Sequence, residues 1–398
     1  MVACRTTCFG VTGQQWLDKR TRPISRSRES HKKHFSNLKM LHLFGPVKSL
    51  LEIDSVNTEN TVFSLHHKAT VIILIVFSLL VTGGQYVGDP IDCIADFDKV
   101  PEKVMDTFCW IHSTFTVYSQ NATESENSYP GVQPQSDGDT IRHHKYYQWV
   151  CFVLLFQAFL FYFPRFIWQT WESRKMEMLV LDLNNPVIEE EKGKDCLKLL
   201  VNYFTANMHS HNFYAITFFL CEILNFVNVV GQIYFIDFFL GGQFTTYGLD
   251  VIGITEIEPQ YRSDPMSKVF PKMAKCTFYK FGPSGTSETI DGLCLLPLNM
   301  LNEKIYIFLW FWFISLATVT GLALIYRSAV IFSQFRLYLL RSQAPLTPRQ
   351  DLEYVARKCQ IGDWFVLIQL SKNINPVYFK ELISDLANAL QNKTPFPA

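Results

Sequence analysis

The feature that most constrains this chain is a set of apolar segments long enough to cross a lipid bilayer. Nineteen residues without a formal charge lie between Lys145 and Arg165, and a helix needs about 20 such residues to span the hydrocarbon layer. Because three more segments share this character, the pattern predicts a four-span membrane protein rather than a soluble chain with one buried helix. The predicted spans are residues 69–88, 146–168, 212–240 and 305–326.

Aromatic residues mark both ends of the second span, where amphipathic rings settle at the two membrane–water interfaces. They are Tyr146, Tyr147 and Trp149 at one end and Trp168 and Trp171 at the other. Pro164 lies in the last turn of this span. Neighbouring helices or interfacial water can satisfy the carbonyl that a proline leaves unbonded, so we expect a kinked exit from the span rather than a break.

Basic residues outnumber acidic ones at both ends of the chain. Residues 1–68 carry eleven Lys and Arg against five Asp and Glu, and residues 327–398 carry nine against five. Residues 89–145 carry four against ten. Because Lys and Arg accumulate on the cytoplasmic side of membrane spans, both termini are predicted to be cytoplasmic. Residues 169–211 then form a cytoplasmic loop, and residues 89–145 and 241–304 form extracellular loops.

Cysteines occur in pairs in the two predicted extracellular loops. Cys93 and Cys109 lie in the first loop, and Cys276 and Cys294 lie in the second. An oxidising compartment favours disulfides between them, and four cysteines allow three pairings that spacing alone leaves open. Free or buried thiols are expected at the other positions, which are Cys4, Cys8, Cys151, Cys196, Cys221 and Cys359.

The first predicted extracellular loop carries two further signals. Asn121-Ala-Thr123 fits the N-glycosylation pattern within a stretch rich in Ser, Gly and acidic residues. Acidic residues also cluster where the first span ends, with Asp89 and Asp92 foremost. They would concentrate cations if they lined a pore mouth, and would be a solvated surface if they faced outward. The solvated surface is the favoured interpretation, and Asp89 and Asp92 are also candidates for lining a pore.

Polar side chains recur along one face of the third span. Glu222, Asn225, Asn228 and Gln232 are spaced three, three and four residues apart, so they share one face of a helix. A carboxyl group in a membrane helix is a candidate for a pore or cavity. Asn and Gln at this spacing also make ordinary hydrogen bonds between helices, and we favour packing over a pore.

Catalytic and metal-binding motifs known from soluble enzymes are missing from the sequence. His209 and His211 could bind a metal, but a solvated loop is the favoured interpretation because no ligand-spaced partners accompany them. We therefore predict a protein that is not an enzyme and that needs no cofactor or metal. The formal net charge of zero argues against a nucleic-acid partner, whereas the spans require a lipid bilayer.

The start of the second span identifies a family resemblance. Tyr146-Tyr147-Gln148-Trp149-Val150, followed by Pro164, is similar to the second-span signature of the innexins, the invertebrate gap-junction proteins. The resemblance covers residues 40 to about 390 and is closest to insect members. Other similar segments are HHKATVIILIVFSLLVTGGQYVGDPIDC, MDTFCWIHSTFTV, LCLLPLNMLNEKIYIFLWFW and GDWFVLIQLSKNINPVYFKELISDLANAL.

The resemblance implies an all-α membrane protein, a four-helix bundle with a helical cytoplasmic domain in residues 327–398 and disulfide-stapled extracellular loops. Such subunits form rings of eight copies, or mixed rings with other innexins, around a pore. Rings of apposed cells dock at gap junctions of the plasma membrane and pass ions and small metabolites. The implied disulfides join Cys93 to Cys294 and Cys109 to Cys276.

The resemblance also implies a short helix within residues 40–68 that narrows the pore, with Leu41, Leu43 and Phe44 on its inner surface. Residues 1–39 depart from the family pattern, because innexins usually begin at the equivalent of Met40. This basic extension is expected to be disordered, and to block the pore or pull the helix out of it. Two rival functions remain open: a non-junctional, pannexin-like hemichannel, and a four-span adhesion or scaffold protein that does not conduct.

Overall fold

The computed structural model describes residues 56–95, 100–118, 131–134, 138–180, 183–184, 190–253 and 265–393. The helices of the described residues are α1 (Thr61–Tyr86), α2 (Glu102–His112), α3 (Val150–Glu172), α4 (Lys175–Val180), α5 (Glu190–Ala206), α6 (Asn212–Phe239), α7 (Phe244–Gly253), α8 (Pro265–Val269), α9 (Pro297–Ala329), α10 (Ser333–Gln343), α11 (Arg349–Lys358), α12 (Ile361–Asn373) and α13 (Pro376–Lys393). The strands are β1 (Asp92–Ile94), β2 (Thr114–Tyr118), β3 (Thr140–His144), β4 (Met273–Phe281) and β5 (Ser287–Leu295).

Within the described ranges, four helices are long and apolar enough to cross a membrane. They are α1, α3, α6 and α9, with 26, 23, 28 and 33 residues. Each overlaps most of one predicted span, and α1 and α9 begin eight residues before the predicted ones. Their ends are set by local backbone chemistry rather than by hydropathy. The Asn60 side chain accepts the N–H of Phe63 at 2.6 Å and caps α1, and Pro297 suits the first turn of α9.

The four long helices form a closed bundle. Helix α1 packs against α3 and α9, and α6 packs against the same two neighbours. Leu74, Phe161, Phe218 and Phe313 are fully buried between them. Helix α1 contains a π-helical stretch over Leu65–Thr70, an irregularity that is often found at functional sites.

The segments outside one end of the bundle form an antiparallel sheet. Its strand order is β1-β5-β4-β2-β3, and it combines strands from both predicted extracellular loops. The prediction of an all-α chain is therefore wrong for this part of the molecule. Strands β4 and β5 form a hairpin whose turn contains Gly285 in a left-handed conformation (φ 79°). Long apolar segments are visible in the sequence because the bilayer requires them, whereas the half-polar strands of a surface sheet give no such signal.

A helical domain packs on the other end of the bundle. Helices α4, α5 and α10 to α13 share a hydrophobic core with the adjoining ends of α1, α3 and α6. Phe63 and Trp168 contribute to this core from α1 and α3, and Phe365 and Leu382 contribute from α12 and α13. The core therefore couples the packing of this domain directly to the positions of the bundle helices.

Candidate functional site

Two disulfides link the first outer segment of the chain to the second. Cys93 on β1 is bonded to Cys294 on β5, and Cys109 on α2 is bonded to Cys276 on β4. All four cysteines are buried, and the pairs are those that the resemblance implies. The bonds join positions 201 and 167 residues apart in the chain. They therefore turn two separate loops into a single sheet-and-helix unit.

Helix α2 lies tightly on this sheet. A Cβ at Gly292 would lie 2.3 Å from Cε of Met105, so a larger residue there would require the Met105 side chain to move. Phe108 meets Phe278 edge to face, with ring centroids 4.8 Å apart. Asp106 Oδ1 accepts the backbone N–H of Cys93 at 2.8 Å, and burial raises the pKa of the Asp106 carboxyl.

Tyr147 and Gln148 of the family motif connect the start of α3 to the disulfide-bearing helix. Tyr147 is buried, and its hydroxyl donates a hydrogen bond to the carbonyl of Cys109 at 3.4 Å. Its ring lies 4.7 Å from that of Trp110. The Gln148 amide donates a hydrogen bond to the carbonyl of Trp110. The motif therefore positions the outer unit relative to the bundle.

The remaining motif residues play different parts. The Tyr146 hydroxyl donates to the carbonyl of Val269 at 3.3 Å, Val150 is buried, and Trp149 is exposed. Helix α3 runs through Pro164 without a break, as the sequence analysis expects. An exposed Trp149 next to a buried Val150 fits a helix entry at an interface between apolar and polar surroundings.

The pore-lining candidates fall into two groups. Asp89 and Asp92 have exposed side chains just beyond the end of α1, which suits both a pore mouth and a solvated surface. Leu41, Leu43 and Phe44 lie outside the described residues, as do the glycosylation candidate Asn121 and the extension 1–39.

The polar stripe of α6 faces neighbouring helices of the same chain. Glu222, Asn225 and Gln232 are buried, and Asn228 is half-buried. Gln232 accepts a hydrogen bond from the Gln157 amide of α3 at 3.0 Å and donates one to Asn228 at 3.3 Å. This arrangement matches the packing alternative, in which amide side chains bond helices to each other.

Glu222 has a partner that the sequence analysis missed. Arg327, near the end of α9, donates from Nε to Glu222 Oε2 at 2.7 Å and from Nη2 to Oε1 at 2.5 Å. Asn60 Nδ2 also donates to Oε1 at 2.5 Å, and the guanidinium lies 5.0 Å from the ring centroid of Phe219. The available signal was an arginine directly after the fourth predicted span and a carboxyl group within the third span.

A buried cation lies near the end of α3. The Arg165 side chain is buried, and its Nη1 lies 3.4 Å from Glu59 Oε2 and contacts Nε2 of His67. His67 Nε2 lies 3.2 Å from the same Glu59 oxygen. These groups join the π-helical stretch of α1 to α3. In the sequence, Arg165 is visible only as the residue that ends an uncharged run.

The expectation of a solvated loop at His209 and His211 is wrong for His211. His211 is buried, and its Nδ1 lies 2.8 Å from Asp363 Oδ1 at the start of α12. The backbone N–H groups of His209 and Gln360 donate to the same carboxylate at 3.0 and 3.3 Å. Burial alone would raise the pKa of Asp363, but these donors hold it below its ordinary value. Asp363 therefore anchors the loop before α6 to the helical domain.

Four bundle helices, a disulfide-linked outer unit and a helical domain at the opposite end define a polytopic membrane protein. The Innexin family model matches residues 59–390 of the chain. Innexin inx2 of Schistocerca americana is 59% identical over 358 residues, covering 89% of this chain and 99% of that protein. Innexin inx2 of Drosophila melanogaster is 56% identical over 369 residues, covering 90% and 100%. Innexin shaking-B of Drosophila melanogaster is 47% identical over 356 residues, covering 88% and 95%.

This chain belongs to the innexin family, whose members form oligomeric gap-junction channels in membranes and are channel proteins rather than enzymes. The family resemblance seen in the second-span motif is thereby confirmed.

Proposed function

We propose that this chain is the subunit of a plasma-membrane ring, of eight copies or mixed with other innexins, that docks with a ring of an apposed cell. The observation that carries the proposal is the outer unit, in which two disulfides and a five-stranded sheet combine the described parts of both loops. A docking surface that is ordered before contact loses little conformational entropy on binding. Both predicted extracellular loops contribute to one such surface.

The passage of ions and small metabolites needs a pore rather than a reactive centre. Asp89 and Asp92 are exposed at the outer end of α1, and at a pore mouth their charge would raise the local concentration of cations. For Leu41, Leu43 and Phe44 the proposal rests on the family resemblance alone. We further propose that residues 1–39 restrict conduction through the ring.

The disulfides provide the test of this proposal. Pairs of cells expressing C109S/C276S should lose junctional current while the protein still reaches the surface, because α2 is then no longer tied to β4. Removing a disulfide that closes a loop of this length costs the protein roughly 4–5 kcal/mol of stability. The matched control is C151S, which removes a buried thiol of α3 that is outside both disulfides. Undiminished current in C109S/C276S would contradict a docking role for the stapled unit.

The same recordings separate the rival functions. A non-junctional hemichannel would give current in single cells and none between pairs. An adhesion or scaffold protein would give no current in either configuration, with surface protein present.

A further inference from the structure

A cavity of about 740 Å³ lies where the bundle meets the helical domain. It is lined by the first turns of α6, the last turns of α9, Arg336 of α10 and the residues at the start of α12. This volume lies within the roughly 300–1,000 Å³ that is usual for sites of small organic ligands. No part of the proposed channel function uses it.

The walls of the cavity are apolar and open onto apolar surface. Ile216, Phe219 and Ile223 of α6 face Leu324 of α9 and Ile331 just after it. Ile216, Ile223 and Ile331 are 53%, 47% and 67% exposed. The exposed face of α6 continues through Leu220 and Val227, and that of α9 continues through Leu322 and Ile325. A hydrocarbon chain lying against these helices could therefore enter the cavity from the side.

The polar end of the cavity is cationic. Arg327 and Arg336 line it, and no acidic side chain does so among the described residues. Arg327 is bound to Glu222, but the buried Nε of Arg336 has no hydrogen-bond partner in the described structure. Nor does the Arg336 side chain form an ion pair within the described part of the chain. A buried donor without a partner is costly, and an anion would relieve this cost.

We propose that the cavity binds an anionic glycerophospholipid of the cytoplasmic leaflet. Its phosphate would accept hydrogen bonds from Arg336 next to the Arg327 guanidinium, and an acyl chain would lie along Ile216, Phe219 and Ile223. The leaflet follows from the proposed topology, in which the ends of α6 and α9 that line the cavity are cytoplasmic. The charge of the site selects an anionic headgroup, and its apolar walls select a molecule with a hydrocarbon chain.

The position of the cavity gives the bound lipid a mechanical consequence. The lipid would contact α6 and α9 of the bundle and also α10 of the helical domain. It would therefore stabilise the docked arrangement of the domain on the bundle, by binding to that arrangement and not to a separated one.

The test uses the purified full-length protein in detergent, with native mass spectrometry of added phosphatidylserine. We expect R336Q to reduce the apparent affinity for phosphatidylserine roughly tenfold, the effect of removing a charge-assisted hydrogen bond. The matched control is R341Q, which removes the same charge from an exposed position of the same helix. It should bind as the wild type does, and phosphatidylcholine should bind weakly to all three proteins.

Folding of R336Q can be judged independently. Trp364 Nε1 donates to the backbone carbonyl of Arg336 at 2.9 Å, and the substitution leaves this bond in place, so R336Q should elute and melt like the wild type. In the wild type, phosphatidylserine with a photoreactive acyl chain should label peptides that contain Ile216 or Ile223.

Several outcomes would overturn the proposal. Equal losses of phosphatidylserine affinity in R336Q and R341Q would show that diffuse surface charge attracts the lipid. Unchanged affinity in R336Q would show that Arg336 does not bind the headgroup. Displacement of the lipid by equimolar inorganic phosphate would mean a site for free phosphate. Labelling confined to other peptides would show that the lipid does not occupy this cavity and that a neighbouring copy of the chain covers it. None of these readouts needs junctional current, so a failure of the channel proposal would be separately visible.

Discussion

Glu222 and Arg327 illustrate how a charge is kept inside the bundle. The carboxylate accepts two hydrogen bonds from Arg327 and one from Asn60, so its oxygens are satisfied by helix α9 and by the residue that caps α1. Removing one member of a buried pair leaves the other uncompensated, which costs more than the pair itself contributes. The two side chains are therefore best understood as one unit that joins three helices.

We expect E222Q to destabilise the purified protein by about 3 kcal/mol, because the half-buried Arg327 is left without its counter-charge. The measurement is the unfolding free energy in detergent, taken as a double-mutant cycle with R327Q. The double variant should be more stable than the sum of the single losses predicts. Strict additivity of E222Q and R327Q would show that the two groups do not interact.

Asp363 gives a prediction with a defined pH dependence. The donors around it hold its pKa below the ordinary value, so its contribution to stability is complete above the unfolded pKa of about 3.9 and is lost as pH falls through the folded value. D363N should therefore cost about 2 kcal/mol at neutral pH, and the difference from wild type should shrink below about pH 4.

The measurement is the thermal unfolding of wild type and D363N from neutral pH to below about pH 4. The control is E381Q, which neutralises an exposed carboxyl of the same domain and should change little. A D363N deficit that stays constant down to the most acid pH would contradict the assignment of the effect to the ionised carboxylate.

At the residue scale, sequence reasoning found groups but not their partners. The spacing on α6 placed Glu222, Asn225 and Gln232 on one face, because helical periodicity alone fixes that geometry. Arg327 and Asp363 were not connected with Glu222 and His211, because each pair joins elements more than 100 residues apart. Spacing also left the disulfide pairing open, and only the family resemblance supplied it.

At the scale of elements, the start of α12 is fitted against the start of α6 at backbone level. A Cβ at Gly362 would lie 2.3 Å from the backbone of His211 and of Asn212, and the Gly362 N–H donates to Asn212 Oδ1 at 3.0 Å. Backbone atoms on both sides cannot move aside as a side chain can. This contact fixes how closely the helical domain approaches the bundle.

G362A should therefore loosen the domain and cost about 2 kcal/mol, the usual range for overpacking. Limited proteolysis should cut helices α10 to α13 faster in the variant than in the wild type. G231A is the control, since a Cβ there meets open space within α6 and should be tolerated. If G362A resisted proteolysis as well as the wild type does, the contact between Gly362 and the start of α6 would accommodate a Cβ at little cost.

The elements were predictable where one physical signal dominates. Length and hydropathy located all four long helices, because the bilayer imposes a minimum apolar length. The same signal could not find their true ends, since Asn60 and Pro297 act through capping and backbone geometry. Hydropathy and length also did not reveal the sheet. Its hairpin β4–β5 mixes buried and exposed residues, and it lies in a segment that was predicted only as a loop.

At the scale of the whole molecule, the disulfide-linked unit and the helical domain sit at opposite ends of one bundle. The outer unit is tied to the bundle by Tyr147 and Gln148, and the helical domain is tied to it by Asp363 and Gly362. We therefore expect a rearrangement at either end to act on the helices of the bundle.

The extension of residues 1–39 yields a prediction at this scale. Protein that begins at Met40 should give larger junctional current than the full-length chain at equal surface expression, because no basic tail then enters the pathway of cations. Dual recordings with matched surface labelling provide the measurement. Equal conductance and permeability of the two forms would remove any role for the extension in conduction.

We propose that rings of this chain dock across two cells and conduct. The most direct test is junctional current between two voltage-clamped cells that lack endogenous coupling and both express the full-length chain. We expect a current that requires expression in both cells and that C109S/C276S abolishes. Surface protein in both cells with no junctional current, from the full-length and the Met40-start forms alike, would contradict it.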